Sequence, residues 1–338
     1  MAGEIEYGAF AIDDETEGAL NESVDHLGGV GAGVEPGRVI QLDRSLPLVC
    51  TPRGNVRAEH SAALVKGADT LAAVGDWVAV EFPSGHDNAV IRAIVPRRNS
   101  LFRIDRKRKG GRQTLAANID VVFIVSPLAG AAAPERLAHL ERETVLAFQS
   151  GAQPVLVMSK ADEDACAEDD VRAVRAIACD VPVIVESAVD ERGVGEVVGC
   201  IPAGKAGILL GKSGVGKSTL VNAIVGEALQ RTTEVRASDG KGRHTTIARR
   251  MVALPGGGFL IDAPGLRSFA LTGSEEGVRR AFPDVMRLAE GCRFRDCRHL
   301  AEPGCAVRAA VADGTLEARR LSSFLAIRDE VSARQPRR

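Results

Sequence analysis

One eight-residue segment has the pattern of a phosphate-binding loop. Residues 211–218 read GKSGVGKS and fit G-x-x-x-x-G-K-[ST] at every defined position. An apolar segment precedes them and an amphipathic stretch follows, which is the strand–loop–helix context that the pattern requires. The glycines let backbone N–H groups surround phosphate oxygens, and the helix N-terminus favours negative charge. The residues expected to bind the nucleotide here are Gly211, Lys212, Ser213, Gly214, Val215, Gly216, Lys217, Ser218 and Thr219.

Two residues of this loop, and two residues further downstream, are predicted to contact the phosphates or Mg²⁺. Lys217 should reach the β- and γ-phosphates and act in catalysis, and Ser218 should bind Mg²⁺. The sequence DAPG, residues 262–265, ends the next apolar strand. Asp262 would face the Mg²⁺ there, and the N–H of Gly265 would meet the γ-phosphate. These motifs predict a nucleoside triphosphate site.

The polar segment KGRHTT, residues 241–246, lies between the two motifs and has no burial pattern. Its position is typical of a switch loop, which becomes ordered when a threonine hydroxyl binds Mg²⁺. Thr245 or Thr246 could supply that hydroxyl, and both could equally be plain threonines at the start of a strand. His244 is the polar candidate for positioning the attacking water. Contact with RNA or solvent is an equally good interpretation of this histidine.

A second strand-end segment has the composition of a base-reading motif. SKAD, residues 159–162, follows the apolar run PVLVM, and the pair Ser187 and Ala188 follows the next strand. The Asp162 carboxylate could accept from the guanine N1 and N2 hydrogens, while the Lys160 stem packs over the base. SKAD alone could be a capped helix start, but its place at a strand end favours GTP. The predicted base-binding residues are Ser159, Lys160, Ala161, Asp162, Ser187 and Ala188.

The order of the two motifs is unusual. In an ordinary GTP-binding domain the phosphate loop comes first and the base-reading motif near the end. Here the base-reading motif at 159–162 precedes the phosphate loop at 211–218. The sequence therefore predicts a complete but circularly permuted GTP-binding domain.

A third constellation has the spacing of a metal site, C-x4-C-x-H-x5-C. Three thiolates and an imidazole form a closed tetrahedral set for a structural Zn²⁺, with no open position for catalysis. Reduced cysteines in a small core would fit poorly beside the charged residues 293–298, whose arginines suggest a surface that faces RNA. The predicted zinc ligands are Cys292, Cys297, His299 and Cys305.

The elements that must position these residues divide the chain into four parts. Residues 1–34 hold eight acids and no Lys or Arg, which predicts a disordered tail. Short turn-bounded strands over 35–105 predict an oligonucleotide-binding (OB-fold) barrel, with an SH3-like barrel as the alternative. Residues 113–275 alternate strands and helices, as in a parallel α/β domain. Residues 276–338 are predicted to form a helical zinc domain.

The charge and the hydropathy of the chain limit the kinds of partner that we expect. The net charge is −2, so the global charge does not by itself predict a nucleic-acid partner, but basic residues cluster before the α/β domain. We expect this cluster to contact RNA phosphates. No apolar run approaches a membrane span and no signal segment opens the chain, so we expect a cytoplasmic protein. We also expect it to be a monomer. The candidate RNA contacts are Arg103, Arg106, Lys107, Arg108, Lys109 and Arg112.

These motifs, in this order, resemble the family of ribosome small subunit-dependent GTPase A (RsgA, also called YjeQ). The resemblance covers nearly the whole chain after the acidic tail. Its motifs are GDWV at 75–78, RRN at 97–99, QTLAANID at 113–120, GKSGVGKS, GKGRHTT and DAPG. It implies an OB-fold barrel, a permuted GTPase centre and a C-terminal zinc domain. It also implies a Mg²⁺-dependent GTPase that acts in late maturation of the small ribosomal subunit.

Two positions depart from the usual pattern. Ser159 stands where the family's base-reading motif usually has Asn, which normally ties the base to the phosphate loop, so weaker GTP affinity is expected. Leu266 stands where many GTPases have a water-positioning Gln, so intrinsic turnover should be slow until a partner stimulates it. Two alternatives follow: a nucleotide-gated rRNA-binding module with little hydrolysis, and an ATP-using phosphotransferase.

Overall fold

The computed structural model describes residues 5–27, 33–43, 46–67, 71–86, 88–105, 111–163, 167–225, 249–262, 271 and 274–333. Eleven strands in these ranges form one continuous sheet, which begins in the α/β domain and ends in a barrel. Two further strands pair with each other in a separate hairpin. No helix in these ranges is both long enough and apolar enough to span a bilayer.

Five short strands close the barrel. They are β1 (Val34–Leu42), β2 (Leu48–Thr51), β3 (Gly54–His60), β4 (Trp77–Glu81) and β5 (Ala89–Ile94). Their order is β1-β2-β3-β5-β4, and β4 returns to pair with β1. Only the β3–β5 pair is parallel, and the short helix α2 (Ala62–Gly67) connects β3 to β4. This Greek-key closure confirms the OB-fold prediction over the SH3-like alternative.

The basic cluster lies on the separate hairpin, formed by β6 (Ser100–Asp105) and β7 (Gly111–Ala117). Arg103 is exposed on β6, and Arg112 lies in β7. The other predicted RNA contacts, residues 106–109, lie outside the described residues. The hairpin joins the barrel to the α/β domain.

The α/β domain contributes six strands in the order β10-β9-β8-β11-β13-β12. All neighbours are parallel except β12, which is antiparallel to β13 and also pairs with β1 of the barrel. Continuous apolar runs such as VVFIV form these strands because helices cover both faces. The strands are β8 (Val121–Pro127), β9 (Gln153–Ser159), β10 (Val183–Val185), β11 (Ala206–Leu210), β12 (Arg249–Ala253) and β13 (Phe259–Asp262). The helices are α3 (Pro134–Gln149), α4 (Ala167–Ala178), α5 (Val194–Gly199) and α6 (Lys217–Val225).

The C-terminal part is helical and packs against α3. Its helices are α7 (Glu276–Ala281), α8 (Pro283–Ala289), α9 (Ala306–Ala312) and α10 (Ala318–Ser332). Arg320 on α10 is buried and donates to Glu141 of α3 at 2.8 Å and to Asp284 at 2.9 Å. Its guanidinium also lies 4.1 Å from the Phe282 ring centroid. A buried, fully paired arginine therefore joins the C-terminal helices to the α/β domain.

The N-terminal segment differs from the prediction of a disordered tail. A 3-10 turn (Tyr7–Ala9) and helix α1 (Asp14–His26) cover the barrel. Leu20 and Val24 are buried there, because apolar side chains four residues apart share one helix face. Phe10 packs against Phe259 of the α/β sheet, with ring centroids 4.6 Å apart. The acids lie on the opposite, exposed face, so acidic composition alone concealed an amphipathic helix.

Three of the motifs that carry the family resemblance meet where the barrel joins the α/β domain. Gly75 has φ 94°, and a Cβ there would collide with the Ala117 carbonyl oxygen. The neighbouring Asp76 is fully buried and accepts two 2.7 Å hydrogen bonds from Arg97. The Asn118 side chain donates to the Gly75 carbonyl at 3.0 Å. These motifs therefore build a junction between domains.

Candidate nucleotide site and metal centre

The predicted nucleotide-binding segments meet at one edge of the parallel sheet. The registers align Leu210 with Ile124, and Met158 with both Ser126 and Val185. The carboxyl ends of β8, β9, β10 and β11 therefore lie side by side, as in other α/β nucleotide sites. The circular permutation changes the order of these segments in the chain and leaves their arrangement in space intact.

The phosphate loop requires glycine at defined positions. Gly211 and Gly216 have φ of 147° and 95°, and a Cβ on Gly211 would collide with the Val125 carbonyl oxygen. Val215 is buried and anchors the loop, whereas Lys212, Ser213 and Gly214 are exposed. The loop backbone is therefore held against β8 with its outer face open to a ligand.

The catalytic candidate Lys217 begins α6 and folds across this loop. Its ammonium group donates to the Gly211 carbonyl at 2.7 Å and to the Lys212 carbonyl at 2.6 Å. Ser218 follows it in the first turn of the helix, and Thr219 is exposed beside it. The lysine and the candidate magnesium ligand thus lie together at the helix N-terminus, where negative charge is favoured.

Asp262 ends β13, the strand next to β11. The register pairs Ile261 with Ile208, so Asp262 lies opposite Leu209, two residues before the loop begins. This places the carboxylate at the same edge as Ser218. The remaining residues predicted for the γ-phosphate, the Mg²⁺ ion and the attacking water are outside the described residues. They are Gly265, His244, Thr245 and Thr246, and Leu266 is outside them as well.

The base-reading motif is bound directly to the phosphate loop. Ser159 is fully buried, and its hydroxyl donates to the Val215 carbonyl at 2.7 Å. Lys160 has the left-handed φ of 58°, and its ammonium group lies 3.2 Å from Glu163. The N–H of Ala161 donates to the Glu186 carbonyl at 3.1 Å. The motif is therefore fixed between the phosphate loop and the end of β10.

Asp162 is held by the second part of the predicted base site. The Ser187 hydroxyl donates to its carboxylate at 2.8 Å, and this bond lowers the pKa of Asp162. The Ser187 N–H donates to the Arg192 carbonyl at 3.0 Å. The neighbouring Ala188 N–H is then the amide of this pair that is available to a guanine oxygen.

A buried carboxyl group next to this site was missed by sequence reasoning. Glu186 is 1% exposed, and burial together with the Asp162 charge raises its pKa to about 7. Its Oε2 has no hydrogen-bond partner among the described residues. Glu186 lies between the end of β10 and the predicted binding pair Ser187 and Ala188. Nothing in the sequence distinguishes it from a solvent-exposed glutamate at the end of a strand.

The four predicted metal ligands converge. The donor atoms of Cys292, Cys297, His299 and Cys305 all lie within 4.8 Å of one another. The Cys292 and Cys305 sulfurs are 3.9 Å apart, and the His299 Nδ1 lies 3.4 Å from the Cys305 sulfur. Tetrahedral zinc with ordinary Zn–S and Zn–N bonds requires separations of about 3.4–3.8 Å. The residues therefore fit a zinc ion in chemistry and in spacing.

The surroundings of the cluster support a metal. Burial lowers the pKa of His299, which favours the neutral imidazole that binds metals. The Cys305 sulfur accepts from the Arg308 N–H at the start of α9, which fixes the position of this sulfur. Arg293, Arg295 and Arg298 are exposed on the same loop. The loop is thus a metal-binding core with a positively charged outer surface.

The fold and the site together define a circularly permuted GTP-binding protein. The RsgA GTPase family model matches residues 94–272. The chain is 44% identical to the small ribosomal subunit biogenesis GTPase RsgA of Streptomyces coelicolor, over 86% of this chain and 79% of that protein. It is 36% identical to the protein of that name from Leptospira interrogans, over 90% and 84%. This chain therefore belongs to the RsgA GTPase family.

Solved structures agree with this assignment. YjeQ from Thermotoga maritima aligns with a TM-score of 0.65 and 25% identity, covering 89% of this chain and all of that one. YloQ, described as a circularly permuted GTPase, aligns with a TM-score of 0.62 and 26% identity, covering 90% and 97%. Barrel, GTPase domain and helical C-terminus are therefore shared across most of the chain.

Proposed function

We propose that this GTPase binds the small ribosomal subunit and acts in its late maturation, hydrolysing GTP to GDP and phosphate with subunit-stimulated turnover. The observation that carries the nucleotide-binding part of the proposal is the bond between Ser159 and Val215, which joins the predicted base-reading motif to the phosphate loop. Curated relatives are named for small-subunit biogenesis, and we extend that role to this chain.

Guanine is the base that the proposed pocket fits. An ionised Asp162 accepts from both the N1 and N2 hydrogens, whereas adenine presents no such pair of donors. The Ala188 N–H donates to the guanine O6, and the Lys160 stem covers the base. A pocket built this way rejects a base that leaves the carboxylate unpaired. GTP should therefore compete for the site and ATP should not.

The proposed roles of the residues around the phosphates follow from their positions in the site. Lys217 would exchange its carbonyl partners for the β- and γ-phosphates, and Ser218 and Asp262 would hold Mg²⁺. Bound Mg²⁺ would supply neutralisation of phosphate charge. Thr245 or Thr246 would add a hydroxyl to the Mg²⁺ ligands, the Gly265 N–H would meet the γ-phosphate, and His244 would position the water. That water attacks the γ-phosphorus as the bond to the β–γ bridging oxygen breaks.

The Cys292, Cys297, His299 and Cys305 cluster is proposed to hold one structural zinc ion per chain. Its four protein donors leave no position for a substrate, so the metal stabilises the loop and not the reaction. Arg103 of the hairpin, with residues 106–109 and Arg112, supplies contacts to rRNA phosphates. The chain is proposed to act as a cytoplasmic monomer.

Co-sedimentation with purified small subunits tests the proposed function. The full chain should sediment with small subunits in the presence of a non-hydrolysable GTP analogue and much less with GDP. Purified large subunits are the matched control and should retain none of it. Equal retention by both subunits, or with both nucleotides, would overturn the proposal.

A further inference from the structure

Glu186 lies between the two halves of the predicted base site. Its N–H donates to the Met158 carbonyl at 2.8 Å, and its own carbonyl accepts from the Ala161 N–H at 3.1 Å. The register pairs Val185 with Met158, so Glu186, the next residue, lies beside Ser159. Glu186 therefore shares both of its backbone hydrogen bonds with the segment that carries SKAD.

The Glu186 side chain is enclosed on one face of the sheet. Side chains alternate along a strand, so Glu186 shares a face with Ile184. Ile184 belongs to a compact apolar cluster that includes Val215 of the phosphate loop. A Cβ on Gly193, the residue before α5, would lie 3.2 Å from the Glu186 Cβ. The carboxyl group is therefore held on the side of the sheet that carries the phosphate loop and α5.

This enclosed carboxyl group lacks a donor. Glu186 is almost fully buried, and its Oε2 accepts no hydrogen bond from any described residue. A buried carboxylate without a donor is costly, whereas the protonated acid is neutral. Burial, followed by the Asp162 charge, raises the pKa of Glu186 to about 7. Near neutral pH the protonated and ionised forms of Glu186 are therefore both populated.

Two further carboxylates lie next to Glu186. The Ser187 hydroxyl donates to the Asp162 carboxylate at 2.8 Å and lies 3.3 Å from the Asp190 carboxylate. No cation among the described residues forms an ion pair with Glu186, since Lys160 pairs with Glu163. A negative charge on Glu186 would thus face other carboxylates without compensation. The remaining charged residues of the adjoining segments are Glu191, Arg192, Glu196 and Lys217.

We propose that Glu186 is a positioning residue of the guanine site, and that GTP binds tightly while its carboxyl group holds a proton. The inference rests on the proposed base-reading role of SKAD and deepens it. Loss of the proton leaves an unpaired charge in the enclosed site, which drives the side chain toward water. This movement displaces the backbone bonded to Ala161, so Asp162 and the Ala188 N–H lose the alignment that guanine requires.

Bound guanine strengthens the preference for the protonated form. The base covers the site and holds the Asp162 carboxylate ionised beside Glu186, so ionisation of Glu186 becomes costlier than in the free protein. GTP binding is therefore coupled to the uptake of a proton by Glu186. Affinity is fully present below the pKa of Glu186 and is lost as the pH rises through it.

The pH dependence of GTP affinity tests this role. The Kd of the full chain for a fluorescent GTP analogue with Mg²⁺ should rise about tenfold between about pH 6 and about pH 8.5. Glu186→Gln stays neutral, so at the higher pH it should bind about tenfold tighter than wild type. The terminal phosphate of the nucleotide titrates with every variant, so the difference between variant and wild type isolates Glu186. Glu186→Met, also neutral and of similar length, should behave in the same way.

Two further measurements separate protonation from packing. Calorimetry at about pH 7, in buffers of different ionisation enthalpy, should show wild type taking up roughly half a proton more per GTP than Glu186→Gln. Glu196→Gln changes an exposed glutamate on α5 and should keep the wild-type pH dependence. Urea midpoints at the lower pH show that the variants fold.

The contrary results are distinct. An equal pH dependence in wild type and in both Glu186 variants would overturn the inference and leave GTP binding in place. Weaker binding by both variants than by wild type at each pH would assign Glu186 to packing alone, and this too would overturn it. If wild type fails to bind GTP at the lower pH, or if ATP competes equally, the proposed guanine site fails as well.

Discussion

The hydroxyl of Ser159 donates a 2.7 Å hydrogen bond to the carbonyl of Val215 in the phosphate loop. The sequence predicts a weaker link between the base-reading motif and the phosphate loop at this position, because Ser replaces the Asn that is usual in the family. The shorter side chain nevertheless reaches the loop, since Gly216 brings the backbone close: a Cβ there would lie 3.7 Å from the Ser159 side chain. The predicted base-reading motif and the phosphate loop are thus joined through one buried hydroxyl.

Ser159→Ala should weaken GTP binding without unfolding the chain. The substitution leaves the buried Val215 carbonyl without this donor, which costs about 0.5–1.5 kcal/mol and raises the Kd for GTP about two- to twelvefold. Fluorescent-nucleotide titration measures the change, and Ser150→Ala, remote from the loop, is the control. An unchanged Kd would show that the bond plays no part in recognition.

Asp162→Asn should exchange guanine for xanthine specificity. The carboxylate that accepts from N1 and N2 becomes an amide, which can donate to the O2 of xanthine. GTP affinity should fall about tenfold or more, and xanthosine triphosphate should bind better to the variant than to wild type. Asp190→Asn is a matched control, because Asp190 also contacts the Ser187 hydroxyl, at 3.3 Å. Equal loss in both variants would argue against base reading by Asp162.

Glu186 should make the wild-type protein less stable as the pH rises. Its folded pKa of about 7 lies above the ordinary value of 4.5, because of burial and the Asp162 charge. Below pH 4.5 both folded and unfolded states hold the proton. Between 4.5 and about 7 the unfolded state loses it first, so stability falls, and above this range the loss is complete.

Urea unfolding at pH 5 and 8 measures this effect. Glu186→Gln should remove a loss on the order of 2–3 kcal/mol between those values. Replacement of the exposed Glu196 by Gln should leave the wild-type pH dependence in place. If the stability of wild type and of Glu186→Gln changed with pH in the same way, a raised pKa of Glu186 would be contradicted.

Cys297→Ser should abolish stoichiometric zinc binding. The remaining three donors cannot close a tetrahedral site, so metal affinity should fall by at least about tenfold. Elemental analysis of reduced protein gives the metal content, expected at about one zinc per wild-type chain. Cys200→Ser, which changes a partly exposed cysteine outside the cluster, should keep the zinc. Metal-free wild type, or metal retained by Cys297→Ser, would contradict the site.

Glu141→Gln should destabilise the chain far more than Glu330→Gln. Glu141 is buried and accepts from Arg320 at 2.8 Å and from Arg319 at 3.1 Å, so its loss leaves buried positive charge. The expected cost is about 2–4 kcal/mol. Glu330 pairs with Arg142 at 2.7 Å at a half-exposed position, worth about 1 kcal/mol or less. Equal urea midpoints for the two variants would contradict the predicted difference in their stability.

Local patterns predicted the elements that carry the site. The apolar run of β8, the helix from Pro134 and the strand–loop–helix around Lys217 each follow from periodicity and turn chemistry within one short window. The cluster of Cys292 with Cys305 was equally predictable, because the two lie only thirteen positions apart and metal chemistry restricts the spacing.

Contacts between distant segments could not be predicted in this way. Arg320 and Glu141 are 179 positions apart, and neither residue's neighbours in sequence indicate a buried pair. Helix α1 was missed because its acids dominate the composition, while three side chains four residues apart, among them Leu20, provide its packing face. The raised pKa of Glu186 likewise depends on burial that only the fold creates.

GTP turnover measured with purified small and large subunits separately tests the central claim most directly. We expect slow intrinsic hydrolysis that rises at least about tenfold as small subunits are added, with no rise for large subunits, because a partner completes the site. A Lys217→Ala variant should stay at background under both conditions. Turnover that is unaffected by small subunits, or equally stimulated by large ones, would contradict the account.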